Sequence, residues 1–573
     1  MKKLFPYIKP YVGYILLTLL IKIFASSADL AIPYLMEFIL SDGVQSGNAS
    51  VVYLYGSLMA VCAIIGLSMN VLANRMSAVS AGQITKSIRH DLFKKTMHLS
   101  ARQMDRLTIS SSESRLTSDT YNINQLLARI QRMGIRAPIL LIGGITMMLT
   151  IDAGLALIPI ALLPIIAVIT YFVTKYSIPL YTKQQNILDR VVRTVQENIT
   201  GVRVIKALSK TEHEKNRFNI VNSELNDVGE KAGTVSAVTM PATSLILNLG
   251  LTIVVLIGAV RVRDGFTEPS VIVAFLQYFT MILNAMVGVT RIFVMWSKGE
   301  ASAQRVAEVL ELPEDQTLLD TENTTEPPAA IEFCNVTFSY TGRGENLSNL
   351  SFRLEKGQTL GILGTTGSGK STIINLLMRL YDVDKGQILI NGQDVRAIRP
   401  EELTKKFGVV FQNDFIAEGD IAHNIRFFRD IPDEKLIVAA QHAQAENILQ
   451  EKEAGLASSV AIRGNNLSGG QKQRLLIARA LAGDPEILIL DDASSALDYQ
   501  TDANLRKALR DNYKDTTTVL IAQRVSSLRH SDLILVLSDS QVIGCGSHNE
   551  LLETCEEYRI IAQTQMGAEE VQV

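Results

Sequence analysis

Long uncharged apolar runs crowd the first half of the chain and vanish from the second. Val51–Asn74 is 24 residues without a charge. Ala137–Thr174 carries only Asp152, which splits it into runs of 15 and 22 residues. Ala232–Val260 is uncharged over 29 residues and Pro269–Thr290 over 22. A bilayer core takes roughly 20 apolar residues as helix, so these five runs are membrane-span candidates. Tyr11–Leu40 is a sixth, interrupted by Lys22, Asp29 and Glu37. Lys2 and Lys3 ahead of it, and Ala25-Ser26-Ser27-Ala28 within it, also fit a cleaved signal peptide. Lys22 inside the apolar core argues against cleavage, and so does parity, because five spans would place the N-terminus and the C-terminal half on opposite sides. The expectation is six spans, at about 11–40, 51–74, 137–151, 153–174, 232–260 and 269–290.

The connections orient these spans. Met1–Pro10 holds three Lys and Arg, Arg75–Arg136 eleven and Lys175–Lys231 ten, whereas the alternate connections together hold two, Arg261 and Arg263. The positive-inside bias puts both termini in the cytosol. The two long basic connections, of 62 and 57 residues, have helical patterning with few Gly or Pro. They are expected to carry helices tens of ångströms beyond the membrane.

Leu312–Ala329, acidic and ending in Pro-Pro, is the expected linker between a membrane unit over 1–311 and a soluble unit over 330–573. Composition agrees: 47% of the 573 residues are hydrophobic, 20% are charged, and mean hydropathy is +0.18. A net charge of −3 gives no field favouring nucleic acid, so no such partner is expected. Cys62, Cys334, Cys545 and Cys555 are too scattered for a disulfide framework or a zinc site.

In the second half, Thr359–Leu363 is an apolar strand pattern. It runs into Gly364-Thr365-Thr366-Gly367-Ser368-Gly369-Lys370-Ser371-Thr372 and then a helical stretch. This is the G-x-x-x-x-G-K-[ST] phosphate loop in its strand–loop–helix setting. Its backbone N–H groups and helix N-terminus suit a β-phosphate, Lys370 the β- and γ-phosphates, and Ser371 Mg²⁺. Farther on, Ile487–Leu490 is a buried-strand run ending in Asp491, placed to hold the same Mg²⁺. Between the two, Leu467-Ser468-Gly469-Gly470-Gln471 precedes another helix and offers a second anion-binding terminus.

Together these motifs resemble the ATP-binding cassette of ABC transporters, in the right order across the soluble half. The resemblance implies that Tyr340 stacks on adenine, that Gln412 is the Q-loop glutamine near Mg²⁺ and the attacking water, and that Leu467–Gln471 is the signature. Ser495-Ala496-Leu497-Asp498 matches the D-loop. The first half resembles the exporter branch, in which six spans precede the cassette. Arg115–Ile123 and Val195–Leu208 resemble the segments flanking its cytosolic coupling helices. The implied fold is an α-helical six-span transmembrane domain with long cytosolic helices, followed by an α/β P-loop domain. Two such halves pair, each ATP lying between one chain's phosphate loop and the other's signature and Asp498.

Two positions depart from the family. The residue after Asp491, normally Glu, is Asp492, one methylene shorter. Its carboxylate falls short of the attacking water by about 1.5 Å, an error that can cost on the order of 10²-fold in rate. The expected switch histidine is Gln523, which cannot act as acid or base. Ile462, just before the signature, also stands where relatives often carry Glu. Both main departures weaken hydrolysis at this chain's own site and leave its signature intact. The expectation is therefore the degenerate-site subunit of a heterodimeric bacterial plasma-membrane exporter, with a non-identical half-transporter as partner. The alternatives are a homodimeric exporter of a specific lipid or peptide, and a nucleotide-gated regulator. Among pathway candidates, Lys22 and Asp29 lie two turns apart on one helix face, open either to substrate or to wet helix ends. Tyr278 and Met286 line an apolar cavity or simply pack. A hydrophobic or amphipathic small-molecule substrate, multidrug in character, follows only from family frequency.

Overall fold

The structure is a computed structural model and describes residues 2–313, 315–320, 328–412, 415–450 and 454–566. Chain contacts divide it into two compact units, Met1–Met97 with Ser110–Leu312, and His98–Ile109 with Pro313–Val573.

The first unit is all helix. Among the described residues six helices are long and apolar enough to cross a membrane. They are α1 (Phe5–Gln45), α2 (Ala49–Met97), α4 (Ile109–Ile151), α5 (Ala153–Thr200), α7 (Thr211–Arg263) and α8 (Pro269–Leu310). The short helices α3 (Ala101–Leu107) and α6 (Val202–Ala207) sit in the two long basic connections. Each long helix extends well past its uncharged run, because polar helix formers continue the hydrogen-bond ladder. Pro159, Pro164 and Pro179 lie inside α5, where each forfeits one backbone bond. Leu16, Leu20, Leu54, Ile64 and Leu67 remain exposed on the chain, a surface made for lipid or another subunit. At the α4–α5 turn Asp152 caps Leu155 N–H at 3.1 Å and takes a two-pronged bond from Arg261 at 3.2 and 3.1 Å. Asp119, 2% exposed, accepts bonds from Ser302 and Arg305 on α8.

The second unit is α/β. Its six-stranded sheet runs β12-β11-β3-β10-β9-β6. These strands are β3 (Thr359–Gly364), β6 (Phe407–Val410), β9 (Ile487–Asp491), β10 (Thr517–Ile521), β11 (Leu533–Ser538) and β12 (Gln541–Gly546). All neighbours are parallel except β11–β12. Every residue of β9 is buried, as expected of a strand covered on both faces. A four-stranded antiparallel sheet, β2-β1-β4-β5, comprises β1 (Ile331–Phe338), β2 (Leu347–Leu354), β4 (Lys385–Ile390) and β5 (Gln393–Asp394). A small ribbon pairs β7 (Gly419–Asp420) with β8 (Ser459–Val460). Part of the segment read as a linker is fixed on this unit: Gln316 donates to the Arg379 carbonyl, and Arg379 to that of Thr317.

The segment 98–109, read from sequence as part of the membrane half, packs with the second unit. Ser100 and Gln103 form a capping box that starts α3. Ser100 Oγ donates to Asp315 at 2.8 Å, Gln103 Nε2 to the Pro313 carbonyl at 2.8 Å, and Tyr381 to Asp105 at 2.6 Å.

Candidate functional site

Parallel pairing puts the C-terminal ends of β3, β10 and β9 side by side, with Ile521 in register with both Ile362 and Asp491. The loops leaving those ends therefore converge, as expected for a ligand site in this kind of sheet. After β3 the chain turns through Gly367 (φ +86°) and Gly369 (φ +101°), conformations that a side chain disfavours. A Cβ at Gly369 would also lie 2.7 Å from the Asn346 carbonyl, and one at Gly364 2.5 Å from that of Leu537. Only glycine fits both.

Lys370 opens helix α9 (Lys370–Leu377) and turns its ammonium back to the Gly364 and Thr365 carbonyls at 2.9 and 2.7 Å. Burial lowers its pKa, while Asp491 and Asp492 oppose the shift. Ser368 Oγ is buried without a hydrogen-bond partner, a polar orphan inside the loop. A phosphate oxygen would satisfy it, so the cradle fits the anion that its motif implies. At the end of β9, Asp491 accepts a bond from Ser371 Oγ at 2.9 Å. Burial raises the Asp491 carboxyl pKa, the Ser371 bond opposes that, and Asp492 adds to it. These two oxygen donors fit Mg²⁺. Gln412, just beyond β6, is exposed on the edge of the same sheet.

Asp492 takes the left-handed conformation (φ +53°), which Asp tolerates better than most residues. Gln523, in the loop after β10, donates its Nε2 to Asp492 Oδ2 at 3.0 Å. The two departures read from the sequence are thus bonded to each other. Gln565, on the C-terminal helix α12 (Glu556–Met566), holds the loop by donating to the Gln523 carbonyl and accepting from Val525 N–H. No local motif marks Gln565.

Tyr340 is half-buried. Its ring meets Phe338 and Tyr381 edge-on at 4.9 and 5.0 Å, and its hydroxyl accepts from Asn375 and donates to Thr372. Tyr381, which sequence patterning did not single out, thereby touches both the aromatic candidate and Asp105 of α3.

In the second glycine motif, Ser468 caps helix α10 (Gly469–Leu481) and forms a capping box with Gln471. Leu467 is buried, while Ser468 and Gly469 are exposed at the helix end. Gln473 ties α10 to the following loop, donating to Ser495 Oγ at 3.0 Å and accepting from Ala496 N–H at 2.9 Å. Gly470 lies against the Ala496 carbonyl, where a Cβ would come within 3.1 Å. Asp498 is the N-cap of helix α11 (Tyr499–Asn512), bonded to Thr501 N–H and Oγ1, which hold its carboxyl below the usual range.

The pathway candidates separate. Lys22 and Asp29 line a cavity of about 1120 Å³ in the membrane unit. Tyr278 does not line it: the side chain is fully buried, its hydroxyl donating to the Leu30 carbonyl at 2.7 Å. Met286 packs against Ile166, Phe279 and Leu283. Both are packing residues here, because α8 turns that face into the helix bundle.

Comparison with known proteins places both units. The family described as "ABC transporter transmembrane region" matches residues 15–286, and the family described as "ABC transporter" matches 347–495. The ABC transporter ATP-binding protein YfiB of Bacillus subtilis is 32% identical over 573 residues, covering 99% of each chain. The fatty acid ABC transporter ATP-binding/permease protein of Mycobacterium bovis is 33% identical over 445 residues, 77% of this chain and 70% of that protein. The solved structure of a bacterial Atm1-family ABC exporter with ATP bound superposes with a TM-score of 0.80 at 24% identity, over 97% of this chain and 98% of the other.

Proposed function

The chain belongs to the ABC transporter family, and from that premise we propose that it is one half of an ATP-driven exporter whose own nucleotide site binds ATP but hydrolyses it poorly. A transport ATPase of this family is a multi-pass membrane protein that works as a dimer. The finer reading concerns which half this is. The observation that carries it is the Gln523–Asp492 hydrogen bond beside an intact loop, Lys370, and Ser371–Asp491 pair. Groups that would bind triphosphate and Mg²⁺ are all present, while the two positions that would orient the attacking water and relay its proton hold Asp492 and Gln523, hydrogen-bonded to each other.

On this reading Tyr340 holds adenine, residues 364–372 and Lys370 hold the phosphates, and Ser371, Asp491 and Gln412 surround Mg²⁺. Leu467–Gln471 and Asp498 serve the site of a different half-transporter, which supplies the missing glutamate and histidine. The cargo is a hydrophobic or amphipathic small molecule, moved out across a bacterial plasma membrane from the side on which both termini lie. The name of the Mycobacterium bovis relative supports an amphipathic, lipid-like cargo over a broad multidrug range.

The test is the intact mass of the complex purified from native membranes through this chain. Two different subunits of similar size are expected. A single mass would mean a homodimer and would overturn the division of labour.

A further inference from the structure

The charge balance of the membrane cavity is unequal. Its lining carries Lys22, Arg132 and Arg136 against one carboxylate, Asp29. Asp29 is already engaged, accepting from Arg136 at 3.1 Å. Lys22 is 2% exposed and, among the described residues, bonds only to neutral groups, the side-chain oxygens of Asn70 at 2.7 Å and Asn74 at 3.2 Å. That leaves one of its three donors free. Arg132 Nε is buried without any hydrogen-bond partner. The cavity therefore holds two cations more than its one lining carboxylate, Asp29, can neutralise.

Burying a cation away from water without a counter-charge is costly, more so within a membrane unit, and such groups mark ligand or ion pathways. Service to the inner-leaflet lipid surface is the competing explanation for basic residues at this level. Side chains with that role extend their heads outward to the interface. Lys22 and Arg132 Nε are instead enclosed. The rest of the wall is mixed: Gln277, Thr280 and Asn284 are polar, while Leu140, Leu276 and Met281 supply apolar surface. At about 1120 Å³ the cavity has room for a polar head and a long tail.

We propose that this cavity binds an anionic amphiphile, its carboxylate or phosphate head held by Lys22 and Arg132 and its tail laid against Leu140, Leu276 and Met281. The inference rests on the exporter reading only in treating the bound molecule as cargo. It narrows the substrate class: neutral compounds leave both cations unpaired, and cationic drugs are repelled.

The experiment uses the complex purified through this chain in nanodiscs of zwitterionic lipid, with equilibrium binding of labelled palmitate. Hexadecyl phosphate, hexadecanol and hexadecyltrimethylammonium compete. Palmitate or hexadecyl phosphate should compete at least 10-fold better than the alcohol, and the cation more weakly still. Lys22→Gln and Arg132→Gln should each weaken palmitate binding about 10-fold, whereas the charge-keeping Lys22→Arg and Arg132→Lys should bind nearly as wild type. Loss in all four variants, or equal competition by all compounds, overturns the proposal. So does palmitate binding abolished by anionic phospholipid in the disc yet unaffected by the Gln variants, which would assign the cations to bilayer lipid. Selective binding without ATP-dependent movement of palmitate would remove the exporter reading and leave this site standing. ATP-dependent efflux of a cation together with unselective binding would do the reverse.

Discussion

Restoring Glu and His in place of Asp492 and Gln523 is the sharpest perturbation the site allows. In the structure the Asp492 carboxylate is held at 3.0 Å by Gln523 Nε2. It is thereby drawn toward the loop after β10. Glu would extend the carboxylate by about 1.5 Å, and a positional error near 1 Å can cost on the order of 10²-fold in rate, about 2.7 kcal/mol in barrier. Replacing Gln523 by His removes a hydrogen bond worth about 1 kcal/mol and supplies a group able to exchange protons near neutral pH. The paired change Asp492→Glu with Gln523→His should therefore raise hydrolysis at this site by about 10²-fold. Steady-state turnover would mask it behind the partner's site. The assay is accordingly single-turnover hydrolysis of labelled ATP in complexes whose partner has lost its catalytic carboxylate. A rise below about 3-fold with ATP affinity unchanged would refute the argument, because Asp492 and Gln523 would then not limit hydrolysis at this site.

Other expectations are independent of that one. Lys370→Ala removes a charge-assisted phosphate contact worth about 1.5–3 kcal/mol, so ATP affinity at this site should fall about 10- to 100-fold by equilibrium binding. Tyr381→Phe keeps the ring against Tyr340 but deletes the 2.6 Å bond to Asp105. Cargo efflux should fall several-fold at unchanged ATP affinity, measured in vesicles. Asp119→Asn weakens a buried acceptor of Ser302 and Arg305, and because Arg305 is half exposed the expected loss is about 1–2 kcal/mol, read as a lower unfolding midpoint in detergent. Gly386→Ala, at φ +85° with its Cβ 2.4 Å from the Cys334 carbonyl, should destabilise the cassette by about 2 kcal/mol or more by the same measure.

What was legible in the sequence is what backbone geometry demands locally. Gly364, Gly367 and Gly369 are fixed by left-handed turns and close carbonyls, Ser371 by the first turn of α9, Asp491 by the end of β9, and Ser468 and Gln471 by a helix cap; each leaves its mark within a few residues. What escaped is long-range. Tyr381 meets Asp105 across 276 positions, and Gln565 reaches Gln523 across 42. Arg132 and Arg136 were counted from sequence among the basic residues of a cytosolic connection, correctly as composition. Charge counting does not tell which way a helix faces, and α4 turns both toward Asp29 and Lys22. Tyr278, open from sequence to either lining or packing, is likewise drawn into the bundle by a hydrogen bond to Leu30 that no pattern announces.

The two proposals meet in a requirement on coupling. If this chain's site retains ATP, closure there persists through many cycles, and reopening must be driven from the partner's site, where this chain contributes only its signature and Asp498. The signature helix is not isolated: Gln473 ties α10 to the Ser495–Ala496 loop, which leads through Asp498 into α11 and lies three residues beyond Asp492. A change at the partner's γ-phosphate therefore has a short covalent and hydrogen-bonded route back to this chain's own site. Gln473→Ala, which cuts that route while touching neither nucleotide, should slow ATP release from this chain's site in the assembled complex by several-fold, as read by labelled-nucleotide exchange. An exchange rate equal to wild type would show that the two sites open independently, and the retained ATP would then be structural ballast rather than part of the cycle.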